Sequence, residues 1–314
     1  MTNEEKAEEL LYDVIILGAG PAGLSAAIYT IRKAMKTLIL SKDVGGQLTW
    51  TSDVDNYLGF SQVNALELVA KFEEHVRRFN VERAIGVDVA EVFPAGPVKR
   101  VVTRDGRSYR GKTIIIATGG RHKPLNIPGE REYVGKGVSY CSTCDAPLYA
   151  GADVAVIGGG NSALGAAIDL MGIANKIHLI FLMPELTGDP VYQARVRQSE
   201  KVVILPQCEP TRIFGRDYVE GIEYRGMQSG EIKTLAVEGV FIEIGTLPNS
   251  GLFSHILTTN EKGEILVDHE CRTGLAGVFA CGDVTNVPFK QVVVAVGEGS
   301  KAALSAYNYL ISRA

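Results

Sequence analysis

The chain has 314 residues, of which 46% are hydrophobic and 22% are charged, which is typical of a globular protein long enough for two domains. Its net charge of −4 gives no reason to expect binding to nucleic acid or to an anionic membrane surface. It lacks an apolar run of about 18 residues, and its acidic N-terminus does not resemble a signal peptide. We therefore expect a cytoplasmic protein without a membrane span.

The first elements along the chain are a strand, a glycine turn and a helix. An apolar run predicts a buried parallel strand over residues 13–17, and a helix over 24–35 and a strand over 37–40 follow the turn. In such a turn the backbone can approach a pyrophosphate, which the helix N-terminus attracts. The pattern predicts a dinucleotide site at three glycines, which are Gly18, Gly20 and Gly23.

Two closely spaced cysteines, Cys141 and Cys144, are followed directly by Asp145. A zinc site is not expected, because zinc needs four ligands and the chain has no second C-x-x-C and no H-x₃-H. Five cysteines in a cytoplasmic chain also argue against a disulfide framework. The pattern predicts a redox dithiol, with Asp145 as its proton donor, as a helix N-cap, or as both.

A second strand, glycine turn and helix occur over residues 153–157, 158–163 and 164–171, before a strand over 176–181. In nucleotide-binding units, an acid after that last strand selects NAD, and an arginine accepts the 2′-phosphate of NADP. Here the strand leads into Phe181-Leu182-Met183-Pro184, and no basic residue occurs from Leu179 through Tyr192. Two alternatives stay open at this point, which are nicotinamide binding and glycines kept only for packing.

Three more apolar strands, over residues 113–116, 239–244 and 277–281, lead into glycines. The first two frame the second glycine turn, so Gly119, Gly120 and Gly245 are candidate hinges. The spacing predicts one domain over 1–118 and 247–314, with the other, over 119–246, inserted into it. The last element that the sequence predicts is a helix over 300–313.

Together these motifs resemble the low-molecular-weight thioredoxin reductase family, from about residue 13 to residue 310. Several separate motifs in the right order make this match more specific than any one of them. The resemblance implies an α/β fold of two Rossmann-like, three-layer dinucleotide-binding domains. The motifs are Gly18–Gly23, Gly45-Gly46-Gln47-Leu48, Asn56-Tyr57-Leu58-Gly59-Phe60, Ala117-Thr118-Gly119, Cys141–Asp145, Gly158–Ala163, Cys281-Gly282-Asp283-Val284, Lys290-Gln291, Gly297-Glu298-Gly299 and Ala302-Ala303.

By this resemblance the protein is a homodimer with FAD in the outer domain, and it acts on thioredoxin or a similar small dithiol protein. Cys144 takes the electrons of the flavin, Cys141 attacks the substrate disulfide, and Asp145 is the general acid and base. The resemblance assigns seventeen residues to FAD: Gly18, Gly20, Pro21, Ala22, Gly23, Gly46, Gln47, Leu48, Asn56, Ala117, Thr118, Gly119, Gly282, Asp283, Lys290, Gln291 and Val292.

The chain departs from the family at the nicotinamide site. Members that use NADPH carry a His-Arg-Arg run after the second strand and another arginine shortly after it. Here these positions are Phe181-Leu182-Met183 and Thr187. The departure predicts a donor other than NADPH, such as ferredoxin or a second flavin, as in some relatives.

Three alternatives accompany this hypothesis. A flavin-dependent dithiol oxidase would pass electrons to oxygen and needs no nicotinamide. A standard NADPH-dependent thioredoxin reductase would bind NADPH weakly. A flavoprotein kept only for binding is disfavoured by the intact pair of Cys141 and Cys144.

Overall fold

The computed structural model describes residues 10–50 and 53–313. Residues 1–9 of the acidic N-terminal stretch lie outside this description. The chain forms two compact units, one over residues up to Arg121 and from Leu247 onward (unit 1), the other over His122–Thr246 (unit 2). The chain passes between them twice, in the short strands β9 and β18, which pair with each other.

Helices and strands are numbered in chain order. The α-helices are α1 (Pro21–Arg32), α2 (Ala65–Arg77), α3 (Ser142–Asp145), α4 (Asn161–Met171), α5 (Pro190–Gln198) and α6 (Val292–Ile311). The strands are β1 (Leu11–Ala19), β2 (Thr37–Val44), β3 (Asp53–Val54), β4 (Val63–Asn64), β5 (Glu82–Ile85), β6 (Val89–Phe93), β7 (Lys99–Thr103), β8 (Ser108–Ile116), β9 (Gly120–His122), β10 (Val138–Ser139), β11 (Asp153–Ile157), β12 (Lys176–Ile180), β13 (Val202–Leu205), β14 (Cys208–Gly215), β15 (Val219–Gly226), β16 (Ile232–Ala236), β17 (Gly239–Ile242), β18 (Thr246–Pro248) and β19 (Val278–Ala280).

Unit 1 is built on a sheet in the order β5-β2-β1-β8, in which all neighbours are parallel. The sheet divides at β8, whose first half pairs antiparallel with β7 and whose second half pairs parallel with β19. Alternating residues of β1 enter two different cores: Val14 and Ile16 pack beneath α1 and α6, and Ile15 and Leu17 face the opposite side. A sheet covered on both faces explains the uninterrupted apolar run of β1.

Unit 2 has a wholly parallel sheet in the order β10-β17-β11-β12-β13. One face packs against α4 and α5, and the other packs against the antiparallel sheet β14-β15-β16. Each unit is therefore a three-layer α/β arrangement, and the predicted fold class is confirmed. Among the described helices, none is long and apolar enough to cross a membrane.

All three predicted helices have wrong boundaries, and the one predicted over 164–171 begins three residues earlier, at Asn161. The first helix starts at Pro21 rather than at residue 24, because proline is favoured in the first turn, and it ends at Arg32, two residues before the positive φ of Ala34. The last helix starts at Val292 instead of residue 300. Glycines at 297 and 299 weaken the local helix signal, but packing against α1 overrides it.

Gly299 shows why glycine occurs inside α6. A Cβ at this position would lie 2.0 Å from the carbonyl oxygen of Ala22 in α1, whereas a Cβ at Gly297 would meet nothing within 4 Å. The close approach of the two helices thus depends on a missing side chain at one glycine of the pair and not at the other.

We expect Gly299→Ala to lower the free energy of unfolding of the chain by about 1–3 kcal/mol, because the methyl group forces α6 away from α1. Gly297→Ala is the matched control and should stabilise the helix by up to about 1 kcal/mol. Denaturant unfolding followed by circular dichroism measures both. Equal stabilities for the two variants would show that helix contact does not explain Gly299.

Candidate active site

Cys141 and Cys144 form a disulfide, with their Cα atoms 5.3 Å apart. Cys141 is the N-cap of α3, and the backbone N–H groups of Cys144 and Asp145 both donate to its carbonyl oxygen. This one-turn helix brings the two sulfurs together, and both cysteines are half-buried. The other cysteines of the chain, at 208, 271 and 281, are buried free thiols.

Asp145 is the last residue of α3. Its Oδ2 accepts a hydrogen bond of 2.6 Å from the hydroxyl of Ser139, and the same hydroxyl oxygen accepts a bond from the backbone N–H of Cys141 at 3.1 Å. Ser139 therefore links the acid to the first cysteine of the pair. Nothing in the sequence spacing marks a serine in β10 as a partner of Asp145, so Ser139 was not predicted.

Two further carboxylates approach α3. The hydroxyl of Ser142 donates to Asp169 of α4 at 3.1 Å, and the backbone N–H of Ser142 donates to Glu243 Oε1 at 3.4 Å. Burial, with a smaller contribution from the charge of Asp169, raises the pKa of Glu243 to about 7 against the lowering effect of the Ser142 N–H. Sequence reasoning missed both acids, which lie 27 and 101 positions away from Ser142.

The second glycine turn is tightly packed. A Cβ on Gly158 would lie 2.5 Å from the carbonyl oxygen of Glu243, and one on Gly159 would lie 3.2 Å from the ring of Phe181. Phe181 is buried, whereas Leu182 and Met183 are 52% and 55% exposed. Two apolar side chains thus face solvent directly after Phe181.

One cation does reach this segment. Arg197 of α5 forms an ion pair of 3.0 Å with Glu185, so its charge is already matched by a carboxylate. The stretch without basic residues extends only to Tyr192. The sequence alone therefore did not show that α5 brings Arg197 close to Glu185.

In the first glycine turn, in unit 1, two of the three glycines pack tightly against backbone atoms and the third does not. A Cβ on Gly18 would lie 2.3 Å from the oxygen of Ala117, and one on Gly23 would lie 1.9 Å from the oxygen of Gly18. A Cβ on Gly20 would meet nothing within 4 Å. Gly20 is the N-cap of α1, and no described side chain caps this helix. The open backbone at Gly20 can therefore accept an anion on the free N–H groups of α1.

Residues distant in sequence surround this turn. A Cβ on Gly46 would lie 3.7 Å from the Cα of Gly20, and Gly282 approaches the side chain of Ala22. The amide of Gln47 donates to Asp283 Oδ2 at 2.9 Å. Burial raises the pKa of Asp283, while the charge of Lys290 lowers it.

The remaining residues assigned to the cofactor also lie in unit 1. The amide of Asn56 donates to Gln291 Oε1 at 3.4 Å, and Lys290 donates to the carbonyl of Thr285 at 2.5 Å and pairs with Glu264 at 2.9 Å. Leu48 is buried in an apolar cluster against which Val292 packs.

Asn249 is a residue that the sequence analysis missed. Its amide donates to the carbonyl of Thr118, its backbone carbonyl oxygen accepts from the Thr118 hydroxyl, and its backbone N–H donates to Gly119. Asn249 thus links the residues that follow β8 to the segment in which the chain re-enters unit 1. Its position in that segment is the only sequence signal that could have indicated it.

A family profile, pyridine nucleotide-disulphide oxidoreductase, matches residues 12–299. The chain belongs to this family. It is 41% identical over 320 residues to the F subunit of alkyl hydroperoxide reductase from Escherichia coli K12, covering 99% of this chain and 61% of that protein. The chain thus spans less than two thirds of the length of this relative.

Solved structures give the same result. The thioredoxin reductase of Streptococcus pyogenes matches with a TM-score of 0.92 at 36% identity, over 96% of this chain and 99% of that one. A ferredoxin-flavin thioredoxin reductase from Clostridium acetobutylicum matches with a TM-score of 0.51 at 29% identity, over 96% and 99%. The predicted family resemblance is confirmed.

The protein is therefore an FAD-dependent disulfide oxidoreductase of the type found in thioredoxin reductases and in the F subunit of alkyl hydroperoxide reductase, with a C-x-x-C pair. The residues of unit 1 fit FAD, because Gly20 leaves room for a pyrophosphate at an uncapped helix N-terminus. Bound FAD would supply two-electron redox chemistry.

We expect Gly20→Ala to weaken FAD binding by about tenfold or more, because its methyl group occupies the space left for the pyrophosphate. The protein fold should be retained, since that methyl group meets no protein atom. Flavin absorbance per chain after dialysis measures the effect. Gly165→Ala, an equally open site in α4 of unit 2, is the control, and equal flavin retention by both variants would contradict the assignment.

Proposed function

We propose that the chain is a disulfide reductase in which electrons pass from FAD to the Cys141–Cys144 disulfide and then to a thioredoxin-like protein. The observation that carries the proposal is the disulfide-bonded C-x-x-C with Asp145 beside it, in a chain whose other unit has an FAD cradle. Unit 1 is the FAD-binding domain in this proposal, and unit 2 carries the dithiol. The functional protein is a cytoplasmic homodimer.

The two sulfurs have different tasks. Cys144 would receive electrons from bound FAD, and Cys141 attacks the substrate disulfide as a thiolate. Its attack breaks the substrate S–S bond and forms a mixed disulfide, which Cys144 then resolves. Asp145 takes the proton that Cys141 loses on becoming a thiolate and then gives it to the departing thiolate, and the Ser139 hydroxyl holds the carboxyl group in place.

We propose that the electron donor is not NADPH. The 2′-phosphate of NADPH needs cationic partners, and the first exposed side chains after β12 are the apolar ones of Leu182 and Met183. The nearby Arg197 is paired with the carboxylate of Glu185. Ferredoxin or another donor remains consistent with these residues, and the likeness to a ferredoxin-flavin thioredoxin reductase supports it.

A second candidate follows from the identity of 41% to the F subunit of alkyl hydroperoxide reductase. In this case the dithiol delivers electrons to a hydroperoxide-reducing protein rather than to thioredoxin. Oxygen uptake with a small dithiol, without turnover of any protein disulfide, would instead identify a dithiol oxidase.

We expect the Cys144→Ser variant to form a stable mixed disulfide with an oxidised thioredoxin-like protein, because Cys141 can attack but no resolving thiol follows. Mass spectrometry of the covalent complex detects this product. Cys141→Ser is the matched control and should give no complex and no turnover. A Cys141→Ser variant that still reduces the protein disulfide would overturn the assigned order of the two cysteines.

Anaerobic flavin bleaching tests the donor. Reduced ferredoxin should bleach the flavin rapidly, whereas NADPH should do so only far above micromolar concentration, since residues 182–183 offer no charge to its 2′-phosphate. The Leu182→Arg/Met183→Arg double variant should lower the half-saturating NADPH concentration by about tenfold or more. Rapid bleaching of the unmodified protein by micromolar NADPH would refute the proposed donor.

A further inference from the structure

Glu243 occupies a distinctive place in unit 2. It follows β17 at the carboxyl edge of the parallel sheet, and its backbone N–H donates to Ile157 of β11 at 2.9 Å. Its carbonyl oxygen would be 2.5 Å from a Cβ on Gly158. The backbone of Glu243 is thus fixed against the glycine turn, while its side chain reaches α3.

The Glu243 side chain contacts the segment of the cysteine pair through a backbone N–H group. Glu243 Oε1 accepts the N–H of Ser142, the residue that directly follows Cys141. An unpaired N–H at the start of a helix stabilises a neighbouring thiolate. An ionised Glu243 engages this group and adds a negative charge beside the dithiol.

The charges around Glu243 are mainly negative. Asp169 of α4 bonds the Ser142 hydroxyl, and Asp145 stands at the other end of α3. Lys123 lies beside Gly245, two residues further on, with its Nζ 3.9 Å from the Cβ position there. Among the described residues, no basic side chain forms an ion pair with Glu243. Burial and the charge of Asp169 accordingly raise the pKa of this carboxyl to about 7.

We propose that Glu243 is a positioning residue that couples reduction of the Cys141–Cys144 disulfide to uptake of a proton. The inference rests on the proposed redox role of the pair. Two electrons and one proton convert the disulfide to one thiol and one thiolate. The negative charge of the new thiolate then favours protonation of Glu243, so a second proton enters from solvent and the site gains no net charge.

The sign of the pH dependence follows. Below pH 7 the Glu243 carboxyl is mostly neutral, and the chain should behave as if residue 243 were glutamine. Above pH 7 the carboxylate opposes the thiolate and disfavours the reduced pair. Removing this charge should therefore make the disulfide easier to reduce at high pH only.

The test compares the FAD-loaded wild-type protein with Glu243→Gln in mixtures of reduced and oxidised dithiothreitol. After alkylation, mass spectrometry of the peptide that contains Cys141 and Cys144 gives the reduced fraction. At pH 6 the equilibrium constants should agree within about twofold. At pH 8.5 the Glu243→Gln protein should favour the reduced pair by about tenfold, equivalent to about 30 mV.

Glu238→Gln is the matched control, because it removes a carboxylate from an exposed residue that precedes the same strand. It should leave both equilibrium constants unchanged. Glu243→Asp keeps the charge and should retain the difference between the two pH values. Difference infrared spectra of the wild-type protein give an independent measurement, in which reduction at pH 7.5 should add a protonated carboxyl band.

The outcomes separate the two proposals. A pair that dithiothreitol reduces normally, with equal constants for wild type and Glu243→Gln at pH 8.5, would overturn the role of Glu243 and leave the disulfide reductase intact. Absence of the carboxyl band on reduction would overturn it even if Glu243→Gln failed to fold. A pair that dithiothreitol reduces but that passes no electrons to any protein disulfide would instead refute the proposed function.

Discussion

Both units depend on one constraint, the direct contact of backbone with backbone at a glycine turn between a parallel strand and a helix. In unit 1 the positions of Gly18 and Gly23 leave no space for a Cβ, and in unit 2 the same is true of Gly158. These contacts set the helix N-terminus against the carboxyl edge of its sheet, where ligands bind in open α/β folds. The chemistry of each unit lies at that edge.

The two turns differ in what surrounds them. Around the first, an open Gly20, a half-buried Asp283 and the amide of Gln47 leave space and polar groups that fit FAD. Around the second, Phe181 packs on Gly159 and the carbonyl of Glu243 closes on Gly158. The same kind of glycine turn therefore leaves space that fits a cofactor in unit 1. In unit 2 it fixes the backbone of Glu243, whose side chain contacts α3.

Local sequence patterns predict the parts of this structure that depend on neighbours in the chain. The apolar run of β1, the turn at Gly18 and the C-x-x-C before Asp145 were all predicted in this way. The start of α6 was not, because the reason for Gly299 lies in α1, far away in sequence. The bonds from Ser139 to Asp145 and from Ser142 to Glu243 were missed for the same reason: the folded chain, not the spacing, brings these residues together.

The central claim is that one chain holds two redox centres, a flavin and the Cys141–Cys144 disulfide, which exchange electrons. Anaerobic titration with dithionite, followed by flavin absorbance and by thiol alkylation, tests it most directly. The account predicts uptake of four electrons per chain, two for the flavin and two for the disulfide, and of two in a Cys141→Ser/Cys144→Ser variant. Uptake of only two electrons by the unmodified protein, with the disulfide left intact, would contradict it.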